Sequence, residues 1–151
     1  MSTLELRSIL LVEDNANDIE LTLLALERAG LQNPVHVVRD GAEALDFLRR
    51  QNDWAGKNIA EPAVILLDKK LPKVDGHEVL AAVKADQRLK HIPVVMLTSS
   101  REETDLLKSY DLGVNAYVVK PVQFEDFMDA IKDLGSFWMV LNEARPGSKR
   151  C

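Results

Sequence analysis

The sequence predicts an α/β fold in which five parallel strands form one sheet with helices on both of its faces. Short apolar runs alternate with segments of helical periodicity five times along the chain, and this alternation favours a parallel sheet. The runs are nearly continuous in apolar residues, which is typical of strands buried on both faces. Right-handed crossovers then favour the flavodoxin-like, doubly wound strand order 2-1-3-4-5.

The first half of the chain supplies two strands and two helices. Residues 8–12 form an apolar run that predicts a strand, and a helix follows from Asn17, capped by Asn15 or Asn17 and ended by Gly30. Residues 35–38 predict the second strand and residues 41–50 the second helix. The apolar residues expected to share a helix face are Ile19, Leu23 and Leu26 in the first helix, and Ala44, Leu45 and Leu48 in the second.

The second half begins after a polar connection, residues 51–62, which is long for an α/β unit. The third strand covers the apolar run 64–67 and ends at Asp68, and Asp75 and Gly76 open the third helix. A strand at 94–97, a charged helix at 102–110 and a strand at 116–119 follow. The last helix is expected from Gln123 to about residue 142. Residues 1–142 would thus form one domain and 143–151 a flexible tail.

Composition narrows the class of protein. The net charge is -5, which argues against direct binding to nucleic acid. No apolar run is long enough to cross a membrane, and the N-terminus does not resemble a secretory signal. The only cysteine is the last residue, Cys151, so an internal disulfide is excluded. These features predict a cytoplasmic protein.

Polar residues stand at the carboxyl ends of four of the predicted strands. Glu13 and Asp14 follow the first strand, Asp68 ends the third, Thr98 ends the fourth and Lys120 follows the fifth. In the order 2-1-3-4-5 these ends are neighbours, and ligands of open α/β sheets bind at this edge. Three clustered carboxylates repel one another unless a cation neutralises them, and Mg²⁺ prefers oxygen ligands. An aspartate beside Mg²⁺ can attack a phosphoryl group and form an aspartyl phosphate.

Four segments together resemble the receiver domain of two-component response regulators: LVEDN, LLDKKLPKVDG, VVMLTSS and AYVVKP, in this order and each at the end of a strand. The resemblance covers about residues 8–134. It implies that Asp68 accepts the phosphoryl group, that Thr98 binds it and that Lys120 pairs with it. The protein would be a signalling protein whose catalysis is confined to its own phosphorylation and dephosphorylation.

The same resemblance implies the remaining site residues. Asp14 and Asp68 would be direct ligands of Mg²⁺, Glu13 would act mainly through water, and the carbonyl of Lys70 would be the third protein oxygen. The peptide bond before Pro121 would be cis. Tyr117 would turn inward when Thr98 moves towards the phosphate, and the face formed by the helix at 102–110, the fifth strand and the last helix would change shape.

A narrower resemblance joins the chain to regulators that serve bacterial phytochromes. It rests on the long connection 51–62 and on the segment FWMVLNEARP after the last helix. It implies a sensor histidine kinase, a phytochrome, as the phosphoryl donor. The last helix is expected to extend beyond the domain, so Phe137, Trp138 and Leu141 would form an exposed apolar patch. We expect a homodimer through this patch.

Two alternative functions are weighed against this interpretation. A pseudo-receiver would bind partners without being phosphorylated, and Lys69 favours it, because the residue after the acceptor is usually apolar in the family. A Mg²⁺-dependent phosphatase or phosphotransferase would commonly carry a second aspartate two residues after the nucleophile, where this chain has Lys70. Side chains alternate along a strand, so Lys69 is expected to point away from the phosphate.

Overall fold

Five short strands form one parallel sheet in the order β2-β1-β3-β4-β5. The structure is a computed structural model, and it describes residues 7–56, 61–99 and 113–133. The strands are β1 (Ile9–Val12), β2 (Val35–Val38), β3 (Val64–Asp68), β4 (Val94–Thr98) and β5 (Ala116–Val119). Every strand pair is parallel. The predicted fold class and strand order are therefore confirmed.

The described residues contain four α-helices: α1 (Ala16–Arg28), α2 (Gly41–Arg49), α3 (Gly76–Ala85) and α4 (Phe124–Asp133). A single 3-10 turn, Asn52–Trp54, follows α2. Asn15 caps α1 by accepting a hydrogen bond from the backbone N–H of Asp18, and Asp40 caps α2 in the same way through Glu43. These caps satisfy amide groups that a helix start otherwise leaves unpaired. None of the helices in the ranges described is long and apolar enough to span a bilayer.

Two apolar layers cover the two faces of the sheet. Residues such as Ile9, Leu66 and Val118 pack with α1 and α4 on one face. Leu10, Leu67 and Met96 are among those that pack with α2 and α3 on the other face. Because successive strand residues point to opposite faces, the continuous apolar runs supply both layers at once. This double burial explains why all the residues of β1, β3 and β4 are buried.

The helix faces differ in detail from the predicted ones. Leu23 is 37% exposed, so the face predicted to contain Ile19, Leu23 and Leu26 is not buried at Leu23. Thr22 and Ala25 complete the buried face of α1. In α2 the buried side chains include Phe47, which lies against Trp54 with a ring-centroid distance of 4.8 Å. Leu45 is only partly buried.

Several predictions fall outside the described residues. These are the helix at 102–110, the last helix beyond residue 133, the apolar patch of Phe137, Trp138 and Leu141, and the tail at 143–151. Within the described part, α4 begins one residue after Gln123 and runs to Asp133.

Candidate functional site

Four strand ends bring the predicted site residues to one edge of the sheet. Glu13 directly follows β1, Asp68 and Thr98 are the last residues of β3 and β4, and Lys120 directly follows β5. The register aligns Val12 with Leu67 and Asp68 with Leu97, so these ends lie level with one another. The sheet therefore concentrates acidic, basic and hydroxyl groups at the carboxyl ends of its strands, where α/β sheets place their ligands.

The ammonium group of Lys120 lies at the centre of the site. Its Nζ is 2.7 Å from Oε1 of Glu13, 3.0 Å from Oδ2 of Asp18 and 3.1 Å from Oδ1 of Asp68. The Lys120 side chain is 12% exposed, and those of Glu13 and Asp68 are 0% and 7% exposed. One cation thus contacts three clustered carboxylates, two of them buried, which would otherwise repel strongly when ionised.

Glu13, Asp14 and Asp68 form an acidic cluster at the same strand ends. One carboxylate oxygen from each of the three lies within 4.8 Å of the others. Glu13 and Asp68 are buried, while Asp14 is exposed at the mouth of the site. Oε1 of Glu13 is buried, and apart from its ion pair with Lys120 it has no hydrogen-bond partner among the described residues. An all-oxygen donor set with an unsatisfied buried carboxylate oxygen fits a hard divalent cation.

Burial and mutual repulsion hold protons on the site. Burial raises the pKa of Glu13 from 4.5 to about 7, against Lys120, which lowers it, and with the like charge of Asp68, which raises it further. Burial also raises the pKa of Asp68, and Lys120 opposes this effect. Burial alone would lower the pKa of Lys120, but Glu13, Asp18 and Asp68 outweigh it and raise the pKa above its usual range. The site is therefore short of positive charge, and an added cation would displace protons from it.

The backbone after Asp68 is tightly fixed. The N–H of Lys69 donates to the carbonyl oxygen of Leu97 at 2.8 Å, and the N–H of Gly76 donates to the carbonyl oxygen of Lys69 at 3.0 Å. A Cβ atom at Gly76 would collide with the carbonyl oxygen of Asp68 and would lie 2.7 Å from that of Lys69. Only glycine therefore lets α3 begin so close to the end of β3, and this contact sets the position of Asp68.

Thr98 and Tyr117 lie in the neighbouring strands β4 and β5. Met96 pairs with Tyr117, and Thr98 pairs with Val119 in the β4–β5 register. Met96 belongs to the layer against which Tyr117 packs, and Thr98 shares the face of Met96 because side chains alternate. Thr98 is buried, and Tyr117 is half-buried. A displacement of Thr98 would therefore change the packing on the face where Tyr117 lies.

The other predicted site residues surround this core. Lys69 is half-buried and Lys70 is exposed. The Lys70 backbone hydrogen bond to the Asp68 carboxylate is among the interactions that lower the pKa of Asp68. The Lys120–Pro121 peptide bond, for which the resemblance implied a cis geometry, is cis.

Asp18 belongs to the site, although the sequence analysis does not single it out. It stands in the first turn of α1, where an acidic residue is expected simply for its interaction with the helix dipole. The available signal was its position in the first turn of α1, four residues after Asp14 and close in sequence to the end of β1. Its contact with Lys120 could not be derived from that spacing alone.

The comparison with known families agrees with this geometry. The model of the response regulator receiver domain matches residues 9–132, so the chain belongs to the family of response regulator receiver domains. Its members are signalling proteins of two-component systems, with a phosphoacceptor and a divalent metal ion in an acidic pocket. The resemblance seen in the sequence is thereby confirmed.

Several proteins similar to this chain are regulators associated with phytochromes. The bacteriophytochrome response regulator RtBRR is 64% identical, with a TM-score of 0.83 over 95% of this chain and 86% of that one. Response regulator Rcp1 of Synechocystis is 41% identical over 131 residues, which is 87% of this chain and 88% of the relative. A structure of Rcp1 in its Mn²⁺-bound form aligns with a TM-score of 0.74.

A third relative carries the modification expected of this family. The cyanobacterial phytochrome response regulator RcpA, whose structure is of the phosphorylated form, is 44% identical. It aligns with a TM-score of 0.75 over 89% of this chain and 94% of its own. The chain is thus a receiver-type response regulator homologous to phytochrome response regulators.

Proposed function

We propose that Asp68 is the residue of this response regulator that accepts a phosphoryl group from a sensor histidine kinase. The observation that carries the proposal is the contact of Lys120 with both Glu13 and Asp68 at the level of the strand ends. Asp68 is buried at the end of β3, yet it lies next to exposed Asp14, so one of its oxygens can face an incoming donor. Its oxygen attacks phosphorus, and the bond between phosphorus and the donor nitrogen breaks.

Mg²⁺ is the metal that we propose for the acidic pocket. Glu13, Asp14 and Asp68, whose oxygens lie within 4.8 Å of one another, would hold it together with the carbonyl of Lys70. When bound, Mg²⁺ supplies positive charge that offsets the negative charge of the acids and of the phosphoryl group. The Mn²⁺-bound form of Rcp1 supports a divalent ion of this oxygen-preferring kind.

Lys120 and Thr98 stabilise the phosphoryl group, and Tyr117 changes position in response to it. Lys120 donates to a phosphoryl oxygen once Asp68 has become an acyl phosphate and no longer carries its own charge. The hydroxyl of Thr98 donates to another phosphoryl oxygen. Movement of Thr98 makes room on the face where Tyr117 packs, and the inward position of Tyr117 becomes favoured. The surface around β5 would then change in the phosphorylated protein.

Incubation with Mg²⁺ and a small amidophosphate donor tests the acceptor. We expect the intact mass of the wild-type chain to rise by one phosphoryl group and that of Asp68→Asn to stay unchanged. Glu20→Gln, which removes an exposed carboxylate of α1, is the matched control and should be phosphorylated like the wild type. Phosphate on Asp68→Asn, or none on the wild type, would overturn the proposal. The second result would favour a binding scaffold.

We further propose that the donor kinase is a bacterial phytochrome acting in the cytoplasm. The support is the 64% identity with RtBRR, a bacteriophytochrome response regulator. Phosphotransfer from a phosphorylated bacteriophytochrome kinase should be at least tenfold faster than from an unrelated histidine kinase at equal concentration, because matched surfaces raise the effective encounter rate. Equal rates from both kinases would contradict this pairing.

A homodimer through Phe137, Trp138 and Leu141 remains part of the proposal. These residues lie outside the described part of the chain, and the support is the sequence pattern alone. Light scattering of the full chain should give the mass of a dimer, and of a chain ending at Gly135 the mass of a monomer. A dimer that survives the truncation would place the interface elsewhere.

A further inference from the structure

Asp18 contacts the same ammonium group as the proposed acceptor. Lys120 donates a hydrogen bond from Nζ to Oδ2 of Asp18 at 3.0 Å, in the part-buried space between α1 and the end of β5. Asp18 is 22% exposed, against 0% for Glu13 and 7% for Asp68. It is therefore the outermost of the three carboxylates around Lys120. The acidic trio that was assigned to the metal does not include it.

The contact with Asp18 adds a direction to the contacts with the other two acids. Oε1 of Glu13 lies closer to Nζ, at 2.7 Å, and the Glu13 side chain is the least exposed of the three. Oδ2 of Asp18 accepts a hydrogen bond from Nζ on the side of α1, at 3.0 Å. A charge-assisted hydrogen bond fixes an N–H direction. Glu13 and Asp68 thus hold the ammonium group in the pocket, and Asp18 fixes the N–H that points to α1.

The backbone holds Asp18 firmly in place. Its N–H donates to the side chain of Asn15 at 3.0 Å, and its carbonyl oxygen accepts from Oγ1 of Thr22 at 2.8 Å. Thr22 is fully buried. By contrast, Lys120 has a long side chain with several rotatable bonds, whose freedom is costly to restrict. A carboxylate carried by a fixed backbone position at the start of α1 supplies that restriction.

We infer that Asp18 is a positioning residue for phosphoryl transfer, and this inference rests on the assignment of Asp68 as the acceptor. In the unmodified protein the ammonium group faces Glu13, Asp18 and Asp68. When an oxygen of Asp68 bonds to phosphorus, the donor's P–N bond breaks and the amine leaves with the bonding electron pair. Asp68 then loses its charge, and the N–H that faced it turns to a phosphoryl oxygen. Asp18 keeps Lys120 aimed in that direction throughout.

The test compares Asp18→Ala with Glu20→Ala, the same change at an exposed acid of the same helix. Phosphate uptake is measured at saturating Mg²⁺ and amidophosphate. We expect Asp18→Ala to slow the rate by about tenfold, the usual scale for one charge-assisted hydrogen bond. Glu20→Ala should stay within about twofold of the wild type, as expected of a surface substitution. An unchanged or faster rate in Asp18→Ala would overturn the inference, and the faster one would show that Asp18 acts only by repelling the donor.

A double-mutant cycle separates positioning from a structural role in the helix. In a Lys120→Met background, Asp18→Ala should change the rate by less than about twofold, because Asp18 then has no ammonium group to orient. The same cycle is followed by urea unfolding of the metal-free protein, which needs no phosphorylation. Coupling is expected between Asp18 and Lys120 and none between Glu20 and Lys120. Equal effects of Asp18→Ala in both backgrounds would overturn the inference.

Failure of the underlying assignment is distinguishable from failure of this inference. If the wild-type chain takes up no phosphate, the acceptor assignment falls and the role of Asp18 falls with it. If the wild type is phosphorylated on Asp68 and Asp18→Ala is phosphorylated at the same rate, only the role of Asp18 is overturned.

Discussion

Nζ of Lys120 lies 3.1 Å from Oδ1 of Asp68, with both side chains nearly buried at the end of the sheet. This pair joins the ends of β3 and β5 at the proposed phosphoacceptor. The parallel register of β3, β4 and β5 brings the two residues together, and their burial makes the charge of each depend on the other.

Loss of Lys120 should destabilise the metal-free protein in a pH-dependent way. Lys120→Met leaves Glu13 and Asp68 buried without their cation, and breaking such a pair costs about 3–5 kcal/mol. Urea unfolding at pH 8 should show a loss of this size. The loss should be smaller at pH 5, where Glu13 can be neutralised by a proton.

An exposed ion pair provides the control for that measurement. Nζ of Lys73 lies 3.6 Å from Asp40, and the Lys73 side chain is 69% exposed. Lys73→Met should therefore cost less than about 1 kcal/mol at both pH values. Similar losses for the two lysine variants would contradict the central role given to the buried pair.

The ionisation of Glu13 should make the metal-free protein less stable above neutral pH than below it. The pKa of Glu13 is raised in the folded protein from 4.5 to about 7, so the folded state binds more protons than the unfolded state between these values. Stability then falls as pH rises through this window and levels off above it. Thermal unfolding between pH 4.5 and 8 checks the sign, and Glu13→Gln should flatten the profile. A stability that rises through the window because of Glu13 would contradict the proposed burial effect.

Mg²⁺ should stabilise the folded protein, and more strongly at pH 8 than at pH 5. Protons and the metal compete for the same carboxylates, so the metal binds more tightly once Glu13 is ionised. At a metal concentration 100 times the dissociation constant, the gain is about 2.7 kcal/mol. Thermal unfolding with and without Mg²⁺ at both pH values measures it. No pH dependence would indicate that the metal binds elsewhere.

Asp14→Asn should separate metal binding from folding. Asp14 is exposed, and its replacement removes a like charge from beside Glu13 and Asp68. The metal-free variant should therefore be as stable as the wild type, within about 0.5 kcal/mol, while most of the stabilisation by Mg²⁺ is lost. A variant that is destabilised without metal but binds Mg²⁺ normally would give Asp14 a structural role instead.

Gly76→Ala should damage both stability and phosphate uptake. The new Cβ would press on the carbonyl oxygens of Asp68 and Lys69, which are backbone atoms that cannot move aside cheaply. Overpacking of this kind costs about 1–3 kcal/mol. It would also displace the backbone of Asp68, the proposed acceptor. Ala81→Gly, at an exposed position of α3, is the control. It should cost about 0.5–1 kcal/mol and leave the rate of uptake unchanged.

The fold class and strand order could be predicted from the sequence because the central strands are buried on both faces of the sheet. A continuous apolar run such as 64–67 is buried on both sides only if helices cover both faces of the sheet. The alternation of strands and helices then leaves few topologies. Asp68 and Lys120 could be placed at one sheet edge for the same reason. Periodicity was less reliable for individual helix positions. Leu23 fits an apolar helical pattern but is exposed, because the width of the buried face depends on how α1 packs against the sheet.

Asp18 shows what the sequence could not provide. Its position in the first turn of α1 has an ordinary explanation in the helix dipole, and nothing in the spacing links it to a lysine after β5. The contact arises only when α1 and the end of β5 are packed together. The raised pKa of Glu13 likewise depends on complete burial, which a neighbouring exposed acid, Asp14, does not share.

The most direct test of the central claim is to locate the phosphoryl group chemically. Borohydride reduces an aspartyl phosphate to homoserine, so treatment of the phosphorylated chain followed by peptide mass mapping reports the modified position. The account predicts homoserine at position 68 and an unmodified Asp14 and Asp18. Homoserine at one of those two aspartates, or a phosphate that resists borohydride, would contradict it.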